Sequence, residues 1–302
     1  MNFVLTGATG FIGAAVVKNI IENGHLPVVL IRNNSNLKRL AQFEKIVYII
    51  YDSIEDENLM DELQKYAPDC FIHLAWKGVS GAERNNAFQI TENIPFTLQS
   101  VFLAKHIGCN HWIGIGSQAE YGNPNCKINE NFPTIPTTLY GKAKLSACWA
   151  ATGLCDALEM QSSWIRVFST YGIGDEPYWF IPYIIDQLKQ GKAPSLTKCE
   201  QLWDYLYVDD AASAILSIAY HKVVGIYNIG TGRAQSLKTV VDLIKNEIDP
   251  SATVNYGAVP YRPDQVMHLE ADVSRIFSAT GWQFKVSIEE GIKKIINDIN
   301  QK

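Results

Sequence analysis

Cysteine is scarce in this 302-residue chain, and none of its six cysteines forms a C-x-x-C pair. Disulfide scaffolds are short and cysteine-dense. Cys70, Cys109, Cys126, Cys148, Cys155 and Cys199 are therefore expected as reduced thiols packed like small apolar residues. The six histidines include no H-E-x-x-H and no cluster with cysteine at zinc spacing, so no metal site is expected. No apolar run approaches the roughly 18 residues that span a bilayer. Basic residues are in deficit, with 26 lysines and arginines against 31 aspartates and glutamates and a formal net charge of −5. The positive footprint that attracts a nucleic-acid backbone is missing. Residues 1–7 run directly into a strand-like stretch, with no basic region ahead of an apolar one, unlike a signal peptide. A soluble, cytoplasmic, metal-free protein with no nucleic-acid or membrane partner is the expectation. What is present is apolar: 47% hydrophobic residues, ample for one large or two modest domains.

Short β-rich runs alternate with helical patterns through the first 170 residues. Residues 3–5, 28–31, 46–51, 70–74, 111–115 and 162–167 read as strands apolar on both faces, and 14–22, 95–106 and 140–151 carry helical spacing. That alternation predicts an α/β fold with a doubly wound parallel sheet of the Rossmann type. Turn signals thicken after Tyr171, at Gly172, Gly174, Pro177, Pro182, Gly191 and Pro194. Beyond them, 205–208 and 226–229 read as strands, and 211–219, 240–247, 273–279 and 288–299 as helices.

The strongest local signal is T-G-A-T-G-F-I-G at 6–13, which follows a strand and opens a helix. Gly7, Gly10 and Gly13 permit a tight turn, close approach to a pyrophosphate and helix-on-strand packing. The anion then meets the unpaired N–H groups of the helix N-terminus. We therefore expect a dinucleotide site, in a domain of residues 1–168 plus about 206–227. A smaller α/β C-terminal substrate domain is expected over 169–205 plus 228–302. The next strand ends in Arg32-Asn33-Asn34-Ser35, where an NAD-binding chain would offer an acidic residue to the ribose. A guanidinium suits a 2′-phosphate instead, which favours NADPH (NADP) over NAD.

Tyr140 and Lys144 stand four apart on a predicted helix and share one face. An ammonium beside a phenol is expected to lower its pKa and equip it for proton transfer. Ser117 follows the fifth strand run, where parallel sheets bind ligands, and it is placed to hydrogen-bond a reacting oxygen. Asp209 and Asp210 precede a helix and are expected to cap it. Trp76, Tyr178, Trp179 and Trp203 are candidate aromatic walls, although aromatics more often belong to a core.

With these residues the chain resembles an extended short-chain dehydrogenase/reductase of the NAD(P)-dependent nucleotide-sugar epimerase/dehydratase/reductase type. His73-Leu74-Ala75 resembles the strand-four motif beside the cofactor, and Asn93 the mid-helix asparagine. R-V-F-S-T-Y-G (166–172) resembles the signature R-x-F-N-x-Y-G. W-D-Y-L-Y-V-D-D (203–210), Y-N-I-G-T-G (227–232) and R-P-D (262–264) complete the set. The resemblance implies that Ser117, Tyr140 and Lys144 are the catalytic triad, Lys144 also holding the nicotinamide ribose. It implies a cofactor site of Thr6, Gly7, Thr9, Gly10, Phe11, Ile12, Gly13, Arg32, Asn33, Ser35, Asp52, Ser53, Leu74, Ala75, Trp76, Asn93, Val167 and Phe168, with Tyr140 and Lys144. The substrate side would be Trp76, Ser117, Gln118, Tyr140, Ser169, Trp179 and Arg262, with Arg262 on the diphosphate. Ser169 stands where the family has asparagine, a departure on the substrate side.

Family 4,6-dehydratases place Asp-Glu immediately after the serine or threonine, and Gln118 and Ala119 cannot do that acid–base work. An epimerising cysteine of the GDP-fucose-synthase type is likewise replaced by Ala119. Two enzymatic readings remain: a 4-ketoreductase that consumes NADPH and a 4-epimerase that retains NAD. With Arg32, the expected activity is reduction of the C4 ketone of a nucleotide-linked 4-keto-6-deoxy sugar. A CDP- or dTDP-linked sugar destined for surface glycans such as O-antigen is favoured. The alternatives are an NAD-dependent nucleotide-sugar 4-epimerase and a non-catalytic NADPH-binding protein. Apolar stripes on 94–106 and 139–151 lead us to expect a homodimer.

Overall fold

The computed structural model describes residues 1–301. Seven parallel strands form the main sheet, in the spatial order Gly225–Ile229, Gln161–Val167, His111–Ser117, Cys70–His73, Asn2–Thr6, Leu26–Ile31, Val47–Ile50. The strand order reverses between Asn2–Thr6 and Cys70–His73, where Thr6 pairs with His73. Ligands of open α/β sheets bind outside the strand ends at such a switch point. The α/β doubly wound architecture expected from the alternating pattern is the one observed.

Apolar cores lie on both faces of the sheet, one around Leu5, Val16, Ile72 and Ile215 and another around Val4, Phe71, Val101 and Trp112. Val47–Ile50 differs from expectation because it is an edge strand: Ile49 is buried while Tyr48 and Ile50 are exposed. Tyr205–Tyr207 is a strand as expected and lies outside the main sheet, pairing in parallel with Ser169–Tyr171. A further core, holding Ile184, Leu188, Val240, Ile244, Ile292 and Ile296, joins the helices Phe180–Lys189, Leu237–Ile248 and Ile288–Asn300. The first of these was not expected, because Pro182 reads as a turn. It lies in the first helical turn, where an N–H would have no intrahelical acceptor.

Asp209 and Asp210 do not cap the helix Val208–His221, whose cap is Tyr207. They sit in its first turn. Asp209 bonds Lys18 Nζ at 2.7 Å across to the helix Phe11–Glu22, and Asp210 Oδ2 accepts from the Val286 amide at 2.8 Å. Asp204 is wholly buried and accepts from the Thr231, Gly232 and Ala271 amides, tying the end of the seventh strand to the C-terminal region. All six cysteines are free. No helix among the described residues is long and apolar enough to cross a membrane.

Candidate active site

The glycine turn opens at the switch point. Gly7 adopts φ +71°, and a Cβ there would overlap the amide of Ala75, so the turn and the loop after the fourth strand touch backbone to backbone. A Cβ on Gly13 would overlap the Gly7 carbonyl. Gly10 caps the helix Phe11–Glu22 without a side-chain acceptor, and no acidic residue stands in its first turn. The first N–H groups of that helix thus point at the crevice with no side chain to satisfy them, which fits a pyrophosphate. Phe11 and Ile12 pack against the core, while Thr9 and Gly10 stay accessible at the crevice rim. Thr6 is turned inward, its Oγ1 2.9 Å from His73 Nδ1, while His73 Nε2 lies 3.2 Å from Thr97 Oγ1. Burial and the charge of Lys144 hold His73 down to about 3, so this bridge is neutral and structural.

Ser117, Tyr140 and Lys144 come together from two elements. Ser117 is the last residue of its strand and the cap of a short 3-10 turn, Gln118–Tyr121. Tyr140 and Lys144 project from the first turns of the helix Leu139–Ala157, which Thr138 caps by accepting from the Gly141 amide at 3.1 Å. The Ser117 side chain stands near enough to the Tyr140 phenol to pull its pKa down. Lys144 Nζ donates to the Ile115 carbonyl at 2.6 Å and lies over the Trp76 ring, 3.7 Å from its centre. Burial lowers Lys144 to about 7, against the opposing charge of Glu120. Tyr140 behaves contrary to the expectation of a lowered pKa. Burial pushes its phenol up and Glu120 adds to that, while the Ser117 side chain and the Arg84 charge pull it down. The lysine ammonium is spent on a backbone carbonyl and an indole face, and burial wins at the phenol.

Asn93 takes a positioning part. Its amide bonds the Lys77 peptide on both sides, receiving from Lys77 N and donating to Lys77 O, each at 2.9 Å. It thereby fixes the loop carrying Leu74, Ala75 and Trp76. Trp76 Nε1 donates to Gln89 Oε1 at 2.7 Å, and its ring meets Tyr140 edge-on at 6.1 Å. Sequence reasoning missed Arg84, whose guanidinium lies 5.2 Å over the Tyr140 ring and whose carbonyl accepts from the Tyr140 amide at 2.7 Å. Nothing in its loop spelling marks it. Glu120 was missed as well; it is completely buried beneath Ser117 and pairs with Arg166.

The outer residues are spread along the crevice. Arg32 is exposed at the end of the second strand, its guanidinium bonded to no carboxylate among the described residues. Ser35 Oγ accepts from the Arg32 amide at 2.9 Å, shaping that turn. Asn33 reaches Asp52 at 3.4 Å, and Ser53 Oγ accepts from the Glu55 amide. Val167 and Phe168 are buried, Phe168 in a small core with Tyr121 and Leu269. Ser169 Oγ accepts from Trp203 Nε1 at 2.6 Å, and Gln118 is half-buried beside Ser117. Trp179 caps the helix Phe180–Lys189 and touches Tyr178. Arg262 is exposed on a turn that Asn123 Nδ2 ties, through the Asp264 carbonyl at 3.2 Å, to the segment following Tyr121.

Residues 3–230 match the model of the NAD dependent epimerase/dehydratase family. Over 136 residues the chain is 36% identical to CDP-abequose synthase of Salmonella muenchen, a stretch covering 44% of this chain and 46% of that protein. It is 23% identical over 319 residues to dTDP-4-dehydro-6-deoxyglucose reductase of Escherichia coli, covering 99% and 98% of the two. Among solved structures it superposes on the UDP-glucose 4-epimerase of Thermotoga maritima, crystallised with UDP-glucose, with a TM-score of 0.81 at 25% identity, covering 100% and 99%. The family match takes in the glycine turn, Ser117, Tyr140, Lys144 and the strand Gly225–Ile229. The chain therefore belongs to the NAD dependent epimerase/dehydratase family, extended short-chain dehydrogenase/reductases that modify nucleotide sugars with NAD(P).

Proposed function

We propose that the chain reduces the C4 ketone of a nucleotide-linked 4-keto-6-deoxy sugar, CDP- or dTDP-linked, at the expense of NADPH. The observation that carries this reading is Arg32, an exposed guanidinium with no carboxylate partner among the described residues, where an NAD-specific site would present an acid. A guanidinium there binds a 2′-phosphate by charge-assisted hydrogen bonds. A consumed NADPH implies net reduction. The similarity to CDP-abequose synthase and to a dTDP-sugar reductase supports it.

NADPH, held by the glycine turn, Arg32 and Lys144, would supply a hydride to the sugar C4. The chain's own groups complete the alcohol. Tyr140, kept protonated by burial, donates its phenolic proton to the oxygen that gains charge. Ser117 donates a hydrogen bond to that same oxygen. Lys144 orients the ribose with its ammonium. Gln118 and Ala119 supply neither acid nor base, which argues against dehydration. Arg262 and the aromatic Trp179 would receive the diphosphate and the sugar-nucleotide. We assign residues 1–168 with about 206–227 to the cofactor and 169–205 with 228–302 to the substrate.

A 4-epimerase is the second reading, favoured by the full-length likeness to an epimerase structure. Single-turnover mixing of the chain with NADPH and a panel of 4-keto nucleotide sugars separates the two. Stoichiometric NADPH oxidation is the expected result. Interconversion of the C4 epimers of the corresponding 4-hydroxy nucleotide sugars, supplied in parallel and without net oxidation of added NADPH, would establish the epimerase.

A further inference from the structure

The three reacting groups leave one buried carboxylate beneath them unexplained. Glu120 Oε1 accepts from the Ser117 amide at 2.9 Å and from Trp164 Nε1 at 2.9 Å, and Oε2 accepts from Arg166 Nε at 2.7 Å. The strand that leads into the turn makes room for it, since a Cβ on Gly116 would overlap Oε1. Capping a short turn does not call for this. A glutamate at that position of a capping box ordinarily reaches back from the surface. Burying it with an arginine costs desolvation that an apolar pair would avoid.

We propose that Glu120 is a positioning residue of the reacting centre: it fixes the Ser117 hydroxyl through the reciprocal cap and sets a buried negative charge beneath the reacting groups. Ser117 Oγ accepts from the Ala119 amide at 3.2 Å, so a lone pair is spent on the backbone and the O–H is left for Tyr140 or a substrate oxygen. Glu120 holds the same residue by its amide, so Ser117 is pinned at both ends. Lys144 is faced by the Trp76 ring, the Ile115 carbonyl, Tyr140 from its own helix, neutral His73 from the fourth strand, and Glu120. Burial favours the amine, and Glu120 is the group in that set that opposes it by charge.

The assignment rests on Ser117, Tyr140 and Lys144 being the reacting groups, and its first readout needs no substrate. In the chain labelled with ε-13C lysine, the Lys144 resonance is identified by its loss in Lys144→Met, and its titration is followed by NMR. Glu120→Gln should lower the Lys144 midpoint by about one pH unit. Because that change strands the Arg166 guanidinium, the double variant Glu120→Gln with Arg166→Met, which buries no unpaired charge, should give a smaller shift of the same sign in a folded protein, since the opposing guanidinium charge goes with it. Glu120→Asp keeps the charge but withdraws it from the Ser117 amide. Its Lys144 midpoint should stay in place while kcat falls about tenfold or more and KM changes little. A Lys144 midpoint unmoved in both charge-removing variants overturns the electrostatic half of the assignment, and an unchanged kcat in Glu120→Asp overturns the Ser117 half. Should no 4-keto sugar be turned over while the Lys144 shift appears, the substrate reading fails and the electrostatic half stands.

Discussion

The Lys144 ammonium lies over the face of Trp76, 3.7 Å from the ring centre, and Gln89 holds that ring in place through its indole N–H at 2.7 Å. Gln89 is itself fully buried and donates to the Gly78 and Glu83 carbonyls. A cation over an aromatic face gains about 0.5–2 kcal/mol. Trp76→Leu should therefore move the alkaline limb of the pH–rate profile to lower pH, by about one unit, and Trp76→Phe should recover most of the shift. An unmoved limb in Trp76→Leu would show that the indole does not support the ammonium.

Lys144 also ties stability to pH, with a sign opposite to that for activity. Its folded value is about 7 and its ordinary value 10.5, so between those limits the unfolded chain binds the extra proton. Stability then rises with pH across that window, while turnover that needs the ammonium falls. Urea unfolding at about pH 7 and about pH 9.5 should show this rise, once other titrating groups are matched through Lys144→Met, which should lack it. Equal pH slopes in the two proteins would contradict the assignment.

Arg32 sets the cofactor prediction. NADPH should bind more tightly than NADH, and Arg32→Ala should erase most of the difference. A charge-assisted contact contributes about 1.5–3 kcal/mol, or about one to two decades of affinity. Fluorescence titration with both dinucleotides decides it. Equal affinities in the unaltered chain would sink NADPH specificity and revive the epimerase.

The residues legible in the sequence are those whose role depends on local spacing. The 6–13 turn needs glycines at fixed intervals beside one strand, and Tyr140 and Lys144 share a helix face by periodicity alone. What stayed hidden depends on partners far along the chain. Glu120 reads as a surface glutamate until Trp164 and Arg166 close over it. Arg84 gains meaning only because its loop packs against the start of the Leu139–Ala157 helix, where Asn85 Oδ1 also accepts from the Leu139 amide at 3.0 Å. The effect of Lys144 on Tyr140 was misjudged for a similar reason. Spacing puts the two on one face, but it does not reveal that the ammonium is engaged by Ile115 and Trp76.

Oligomeric state can be tested on the same helix. Phe102 on Asn93–His106 and Trp149 on Leu139–Ala157 are 53% and 64% exposed, on two helices that pack side by side. Large apolar side chains on neighbouring helices suit a two-fold, self-complementary contact. A homodimer is expected by light scattering at micromolar concentration, and Trp149→Glu combined with Phe102→Glu should yield a folded monomer. A monomeric mass for the unaltered chain would rule this interface out.

The chemistry turns on Tyr140. No other tyrosine in the chain stands four residues before a lysine, and the Ser117 side chain beside it pulls its pKa down. Burial raises its pKa, which suits a group that must arrive protonated and surrender the proton only as the sugar oxygen becomes an alkoxide. Tyr140→Phe removes the hydroxyl alone, so the ring contacts with Trp76 and Arg84 should persist and NADPH should bind as before. Turnover should fall by about 10²–10⁴, the usual contribution of a positioned general acid. Ser117→Ala should also lower the rate and leave NADPH affinity nearly intact, whereas Lys144→Ala should reduce both. Those binding differences separate the three roles, because loss of rate alone is common to all of them. If Tyr140→Phe reduces a 4-keto nucleotide sugar at the rate of the unaltered chain, the proton comes from elsewhere, and the mechanism built on this tyrosine is wrong.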